Sequence, residues 1–472
     1  MKSTVSHRIL AAVFLAAMLV GAAGVGGQNR RGHAMPCQPC RIRVVEKSSG
    51  HAVPLVELVT THNVRFVTDN AGVIAFDLPE LMGRETWFHV HGHGYEVPED
   101  GFGYRGVRLT PTPGGELEIQ VARTIIAKRI GRLTGGGLFA ERRKTGGEQE
   151  SPESGVLGCD SVQNALYRGK LFWAWGDTTL PHYPLGIFHM TAAVTAPRPL
   201  ESFEPPLRLQ FDYISDDSDR PRGVAKMPGK GPTWLNGLAA LPDQTGGERL
   251  VATYRKIEPP LDTYEIGLCV WDEQTSNFGG HRVLWNKKQS KGKMPPAPQG
   301  HPVFEEDEQG KRWVLFGDPF PQLRCPAHFE AWEDPSRWQH LKPQKTVPSA
   351  SGDRQITPHR GAISWNHFRQ RWVAVFVERG GSPSFLGELW YAESDSPTGP
   401  WGPAVKVLSH ENYTFYNPKL HPGFTPDDSP VLLFEGTYTK QFADNPTPTP
   451  RYDYNQILYR LDLDDPRLKA AR

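Results

Sequence analysis

Gly169-Lys-Leu-Phe-Trp-Ala-Trp-Gly-Asp177 reads as a turn, a short aromatic strand and a closing acid. The pattern returns in Gly246-Gly-Glu-Arg-Leu-Val-Ala-Thr-Tyr254, Gly310-Lys-Arg-Trp-Val-Leu-Phe-Gly-Asp318, Arg369-Gln-Arg-Trp-Val-Ala-Val-Phe-Val-Glu378 and Ser429-Pro-Val-Leu-Leu-Phe-Glu435. Successive starts lie 77, 64, 59 and 60 residues apart. A four-stranded unit repeated at this period predicts the blade of a β-propeller, because one sheet cannot bury both of its faces and must stack on neighbours. Five units fill residues 156–465, whereas a β-helix needs a much shorter period and a helical solenoid a 3.6-residue periodicity that is absent.

Upstream, residues 38–124 alternate apolar and polar positions in short runs such as Arg41-Ile-Arg-Val-Val and Gly72-Val-Ile-Ala-Phe, separated by Gly, Pro, Asn and Asp turns. About seven strands in this stretch predict a small β-sandwich. Residues 125–155, with Gly135-Gly-Gly and a polar run from Glu141 to Glu153, read as a linker whose start is ordered. The expected fold class is therefore all-β, a small sandwich followed by a five-bladed propeller. The 48 Gly and 43 Pro agree, since both residues disfavour helix interiors and favour turns.

Residues 1–27 carry Lys2, His7 and Arg8, then an apolar run from Ile9 to Val20, then small residues, the layout of a cleaved secretory signal. The expectation is a secreted or periplasmic protein with no membrane span once the signal is removed. The formal net charge of +1 excludes a global field for nucleic acid or anionic membranes, so a neutral or locally read ligand is expected. Five scattered cysteines do not build a disulfide scaffold, although Cys37 and Cys40 are spaced for a local bond. No cofactor and no structural metal are expected: Cys37-Gln-Pro-Cys40 lacks a second pair, and His89, His91 and His93, at alternate positions of one strand, share a face but do not converge on one ion.

Several stretches carry a resemblance to known families. Val67-Thr-Asp-Asn-Ala-Gly-Val-Ile-Ala-Phe, preceded by Ser48-Ser-Gly-His-Ala-Val-Pro, resembles carboxypeptidase regulatory-like, transthyretin-like domains, which implies a non-catalytic accessory module. Gly158-Cys-Asp160 through Asp177, Gly300-His301-Pro-Val-Phe through Gly317, and Leu389-Trp-Tyr-Ala-Glu-Ser-Asp-Ser-Pro-Thr-Gly-Pro-Trp401 resemble blades of the five-bladed glycosidase superfamily, the glycoside hydrolase family 43-like propellers. The resemblance implies a central funnel where each blade begins, holding a carboxylate base or nucleophile, a modulating carboxylate and a general acid. Asp160 matches the base. His301 stands where the modulator is expected, and Thr357-Pro-His359-Arg360-Gly361 holds no Glu where the acid is expected.

A histidine titrates near neutrality, so His301 or His359 can serve as acid, and Arg360 can grip a carboxylate or sulfate on an acidic sugar. Trp234, Asn236, Asn417 and His421 complete the expected ring around a saccharide, an aromatic for the sugar face and polar groups for its hydroxyls. Glu330 and Glu388 are further candidates for the acid. Asp177, Asp318 and Glu435, which end second strands, are expected to be hydrogen-bonding groups. The reading is a secreted glycoside hydrolase-like protein acting on an extracellular poly- or oligosaccharide. The alternatives are a glycan- or protein-binding propeller that has lost its acid, and a metal-dependent hydrolase built on Asp160, His301 and His359.

Overall fold

The computed structural model describes residues 38–148 and 151–471. Five four-stranded antiparallel sheets follow one another along the chain. The first strands are Gln163–Tyr167, Thr233–Pro242, Val303–Glu306, Pro358–Asn366 and Thr414–Leu420, and each pairs with the aromatic strand of the repeat, from Lys170–Trp175 in blade one to Val431–Thr439 in blade five. All five repeat motifs therefore mark second strands.

Apolar clusters show that the sheets form a ring. Phe172 and Ala192 of blade one pack with Leu235 and Ala252 of blade two. Leu241 and Leu268 pack with Val314 and Leu323 of blade three. Phe320 and Val303 meet Ile363 and Phe376 of blade four, and Val375 and Tyr391 meet Phe415 and Phe434 of blade five. The fifth cluster returns to the beginning, joining Leu433 and Leu458 of blade five to Trp173 and Ala193 of blade one. Every blade thus buries both faces, which is why a short isolated repeat is not stable and five in a ring are.

Blade five has only three strands of its own. Its fourth is Lys128–Arg132, antiparallel to Asn455–Asp462, with Ile457 opposite Arg132 and Arg460 opposite Lys128. Part of the stretch read as a linker is therefore the outer strand that closes the ring, a role its Lys-Arg-Ile-Gly-Arg composition conceals. The strand Asn455–Asp462 is the third strand of that blade.

The N-terminal region holds eight strands in two four-stranded sheets, one more than the sequence suggested. One sheet pairs Cys40–Glu46 in parallel with Glu116–Arg123 and antiparallel with Val73–Phe76. The other is built on Glu57–Thr60 and Thr86–His91. Val44, Leu58, Ile74, Phe76, Phe88 and Val121 fill the core between them. In the turn before Val73–Phe76, Asp69 accepts hydrogen bonds from the backbone of Ala71 and Val73 at 2.9 and 3.0 Å. Asn70 beside it clasps the closing strand: its amide donates to the Arg132 carbonyl at 2.9 Å and its carbonyl accepts from the Arg132 amide at 2.8 Å. Residues 1–27 and Cys37 lie outside the described residues, and Cys40 is a buried thiol. Among the described residues no helix is long and apolar enough to cross a membrane.

Ile130 is fully buried in the blade five to blade one cluster. Ile130→Ala is expected to lower the unfolding free energy by ~2–4 kcal/mol in urea titrations. A chain starting after residue 134, which lacks the closing strand, is expected to lose the cooperative transition that the full chain shows.

Candidate functional site

Where the first strands begin, a cavity of about 340 Å³ opens, within the size range of small-ligand sites. Asp160, Trp234, Asn236, His301, His359, Arg360 and Asn417 all line it, so seven of the eight residues selected from the sequence come together.

Asp160 sits between Gly158–Cys159 and the first strand of blade one. Its backbone pairs with Gly176 and Asp177, and a Cβ at Gly176 would lie 2.0 Å from its Oδ1, so only glycine leaves the carboxylate room. Tyr416 donates its hydroxyl to Oδ2 at 2.6 Å. Burial, and then the neighbouring Asp177 carboxylate, push the Asp160 carboxyl up to about 7, against the pull of Tyr416. Asp177 accepts from the Trp234 indole at 3.1 Å and so orients that ring in the cavity wall.

Asp318 is the second carboxylate of the wall. It accepts from Arg360 Nη1 at 2.7 Å and from the Gly361 amide at 2.9 Å. Burial pushes its carboxyl up, while Arg360 and the Gly361 N–H oppose that shift. Its place at the end of a second strand had suggested a hydrogen-bonding role, and these two bonds are of that kind. In an antiparallel hairpin, however, the end of strand two lies beside the start of strand one: Val303 pairs with Leu315 here, and Gly300 just before it forms a separate parallel bridge with Gly317. The shared aromatic-Gly-Asp ending of Trp175-Gly-Asp177 and Phe316-Gly-Asp318 was the available signal. Tyr416 had no such signal, since it reaches Asp160 across the ring closure.

The two histidines do not suit the acid role expected of them. His301 is 6% exposed, and burial followed by the charges of Lys419, His421 and Arg360 hold its imidazole well below the usual range. Burial and the guanidinium groups of Arg360 and Arg379 push His359 down to about 4. Burial and these neighbouring charges leave both rings unprotonated at pH 7, and His359 Nδ1 is buried and unpartnered. Asn236 uses its carbonyl to accept from the Gly300 amide at 2.5 Å, which fixes the approach to His301. Asn417 donates to Ser161 Oγ at 2.5 Å and leaves its buried Oδ1 unpartnered.

His421 does not line the cavity. It lies behind the wall, stacked on Phe424 at 4.4 Å. Its Nδ1 faces the Asn164 amide at 3.2 Å, and its Nε2 faces Glu435 at 2.9 Å. Because the Asn164 amide can only donate, Nδ1 accepts and Nε2 carries the hydrogen given to Glu435. Burial pushes Glu435 up to about 8, with the Lys419 ammonium opposing. The residue one position past the strand end thus turns into the space between blades.

Other candidates also lie elsewhere. Glu388 is fully buried and tied to Lys406 at 2.6 Å and Ser409 at 2.8 Å. Glu330 accepts from the Gln244 amide at 2.9 Å, away from the cavity. His89 and His91 stack with ring centroids 6.3 Å apart, while His93 lies past the strand end and packs on Tyr413 at 5.0 Å. Among the described residues no group of three His, Cys, Asp or Glu side chains is arranged to hold a metal.

No family model and no curated protein sequence matches the chain. Among solved structures, the chain is similar to an exo-1,5-alpha-L-arabinanase from a bovine ruminal metagenomic library, with 10% identity over 65% of this chain and 93% of that one, and a TM-score of 0.37. A family 43 glycoside hydrolase from Bacillus licheniformis has 11% identity over 66% and 72% of the two chains, with a TM-score of 0.37. An endo-1,5-alpha-L-arabinanase from Thermotoga petrophila RKU-1 has 11% identity over 65% and 71%, with a TM-score of 0.35. Similarity this distant assigns neither a family nor an activity.

The raised Asp160 carboxyl has a consequence for stability. A carboxyl whose folded value exceeds its unfolded value stabilises most below the unfolded value of 3.8, and that contribution is lost as pH rises towards about 7. Asp160→Asn is expected to remove this loss, so that stability falls by ~3 kcal/mol less between pH 4 and pH 8 than in the parent chain, read from urea unfolding at both values.

Proposed function

We propose that the cavity binds a saccharide and hydrolyses its glycosidic bond, the protein acting as an exported glycoside hydrolase on an extracellular poly- or oligosaccharide. One observation carries this reading: two carboxylates, Asp160 and Asp318, line one cavity in opposite electrostatic settings, the first beside another carboxylate and the second beside a guanidinium. Glycoside hydrolysis needs one carboxyl that keeps its proton and one that has lost it.

In this reading Asp160 is the proton donor. As the C–O bond to the leaving group breaks, its proton passes to the leaving oxygen. Asp318, whose upward shift the Arg360 guanidinium opposes, takes a proton from the water that adds to the anomeric carbon, or itself forms the bond that water later cleaves. This inverts the base role that resemblance gave Asp160, because Asp177 rather than a cation stands next to it. Trp234, aimed by Asp177, offers an aromatic face for the sugar ring. Exposed Leu261 and Phe442 extend that apolar surface at the rim. His301, His359 and Asn417 supply neutral hydrogen-bonding groups for hydroxyls. The sandwich is an accessory module that touches no substrate and helps hold the closing strand.

Release of reducing sugar from plant and microbial polysaccharides, measured across pH, tests this. Asp160→Asn and Asp318→Asn are each expected to lower kcat by a factor of about 10³ or more, while Trp234→Ala chiefly raises KM. Activity is expected to decline above pH 7, and Asp177→Asn to shift that decline to lower pH, because it removes the charge that holds the Asp160 proton. Glycan binding with no hydrolysis in the parent chain would instead make the propeller a binding module. A rate that rises through pH 7 would return Asp160 to the base role.

A further inference from the structure

A second, smaller pocket of about 50 Å³ lies where the closing strand leaves blade five and meets the sandwich turn clasped by Asn70. Arg132, the last residue of that strand, and Arg451 both line it. Their guanidinium groups lie 4.1 and 5.7 Å from the centre of the Phe139 ring. Arg132 is 6% exposed, and one of its nitrogens, Nη2, donates to the Leu157 carbonyl. Its Nε and Nη1 are buried without a partner, as is Nε of Arg451.

The nearby carboxylates are already engaged. Glu141 is shared between Arg451 at 3.3 Å and Lys144 at 3.0 Å. Asp69 is bound by the backbone amides of Ala71, Val73 and Arg142. Two cations, the buried Arg132 and the partly buried Arg451, therefore stand at one pocket with three donor nitrogens unused, and Arg132 pairs with no carboxylate among the described residues. Burying a guanidinium without a counter-charge is strongly unfavourable, whereas its fork is shaped to give parallel hydrogen bonds to an anion. A glycine loop supplies the space. Gly135 has φ +75°, and a Cβ there would come within 2.4 Å of Phe139 and 3.1 Å of Arg132 Nη1.

We propose that this pocket holds a small inorganic anion, a halide or a tetrahedral oxyanion, bound between Arg132 and Arg451. The volume admits a single small ion and excludes a sugar or a nucleotide. The ion would neutralise the seam at the point where Asn70 ties the sandwich to the closing strand. It would therefore act as an electrostatic staple on ring closure, independently of any activity in the central cavity.

The test is thermal unfolding of the full-length chain at constant ionic strength, with sodium gluconate exchanged stepwise for chloride, bromide or sulfate. A bound ion gives a saturable rise in Tm of a few degrees at millimolar concentration, unlike the steadily growing effect of bulk salt. Gluconate is too large to enter. Arg132→Gln is expected to abolish the response. Crystals of the parent chain grown with bromide, or with selenate if only the oxyanion stabilises, should show an anomalous peak within hydrogen-bond reach of Arg132 Nε and Nη1. That measurement decides the matter even if Arg132→Gln fails to fold. Equal Tm in all the salts, a response that survives in Arg132→Gln, or no peak in the pocket would each overturn the proposal.

Discussion

The structure depends on one pairing made across most of the chain, Lys128–Arg132 against Asn455–Asp462. Four blades are each built from one continuous segment, but the fifth would end in an open edge without the strand that arrives from before blade one. A sheet edge with unpaired backbone groups is a point of fraying and aggregation, and covering it with a strand from the other end of the chain couples first and last blades. Ile130 and Leu458 then pack against Trp173, so backbone and side-chain closure occur together. The sandwich takes part through Asn70, which holds both backbone groups of Arg132.

Closure has an electrostatic result. It draws the starts of the five first strands, and the ends of the second strands beside them, to a common hollow. Charged groups gathered there lose water and are forced to settle their protonation among themselves. Asp177 beside Asp160 adds to the upward push of burial, while Arg360 beside Asp318 opposes it, so two chemically identical side chains meet different electrostatic settings. Behind the wall, Lys419, Glu435 and His421 form a second buried group, and the Lys419 charge adds to burial in holding the His301 imidazole below its ordinary range. The cavity's chemistry is therefore set as much by its backing as by its lining.

Much of this arrangement is legible before any coordinates. The aromatic strand motif, read five times, located every second strand, and the residues placed before or within first strands converged on the cavity with His421 as the exception. His421 fails because a single position past a strand end turns its side chain into the packing between blades, beyond the reach of a positional rule. Asp318, expected at a strand end to be a hydrogen-bonding group, does bind Arg360 and Gly361, and the antiparallel return also places it in the cavity wall. His301 and His359 were assigned proton transfer from their ordinary titration range, which burial and neighbouring cations have moved.

The periodic part was legible in the residues themselves: alternation, turn residues and the recurring aromatic run specify short strands and the five-fold repeat, because these depend on neighbours a few positions apart. Whatever joins distant positions came from folding alone. The Lys128–Arg132 closure, the Tyr416 hydrogen bond to Asp160, and the crowding of Arg132 with Arg451 link residues separated by hundreds of positions. Protonation belongs to this second class as well, since it follows the charges and solvent exclusion that folding imposes, and local pattern carries no record of either.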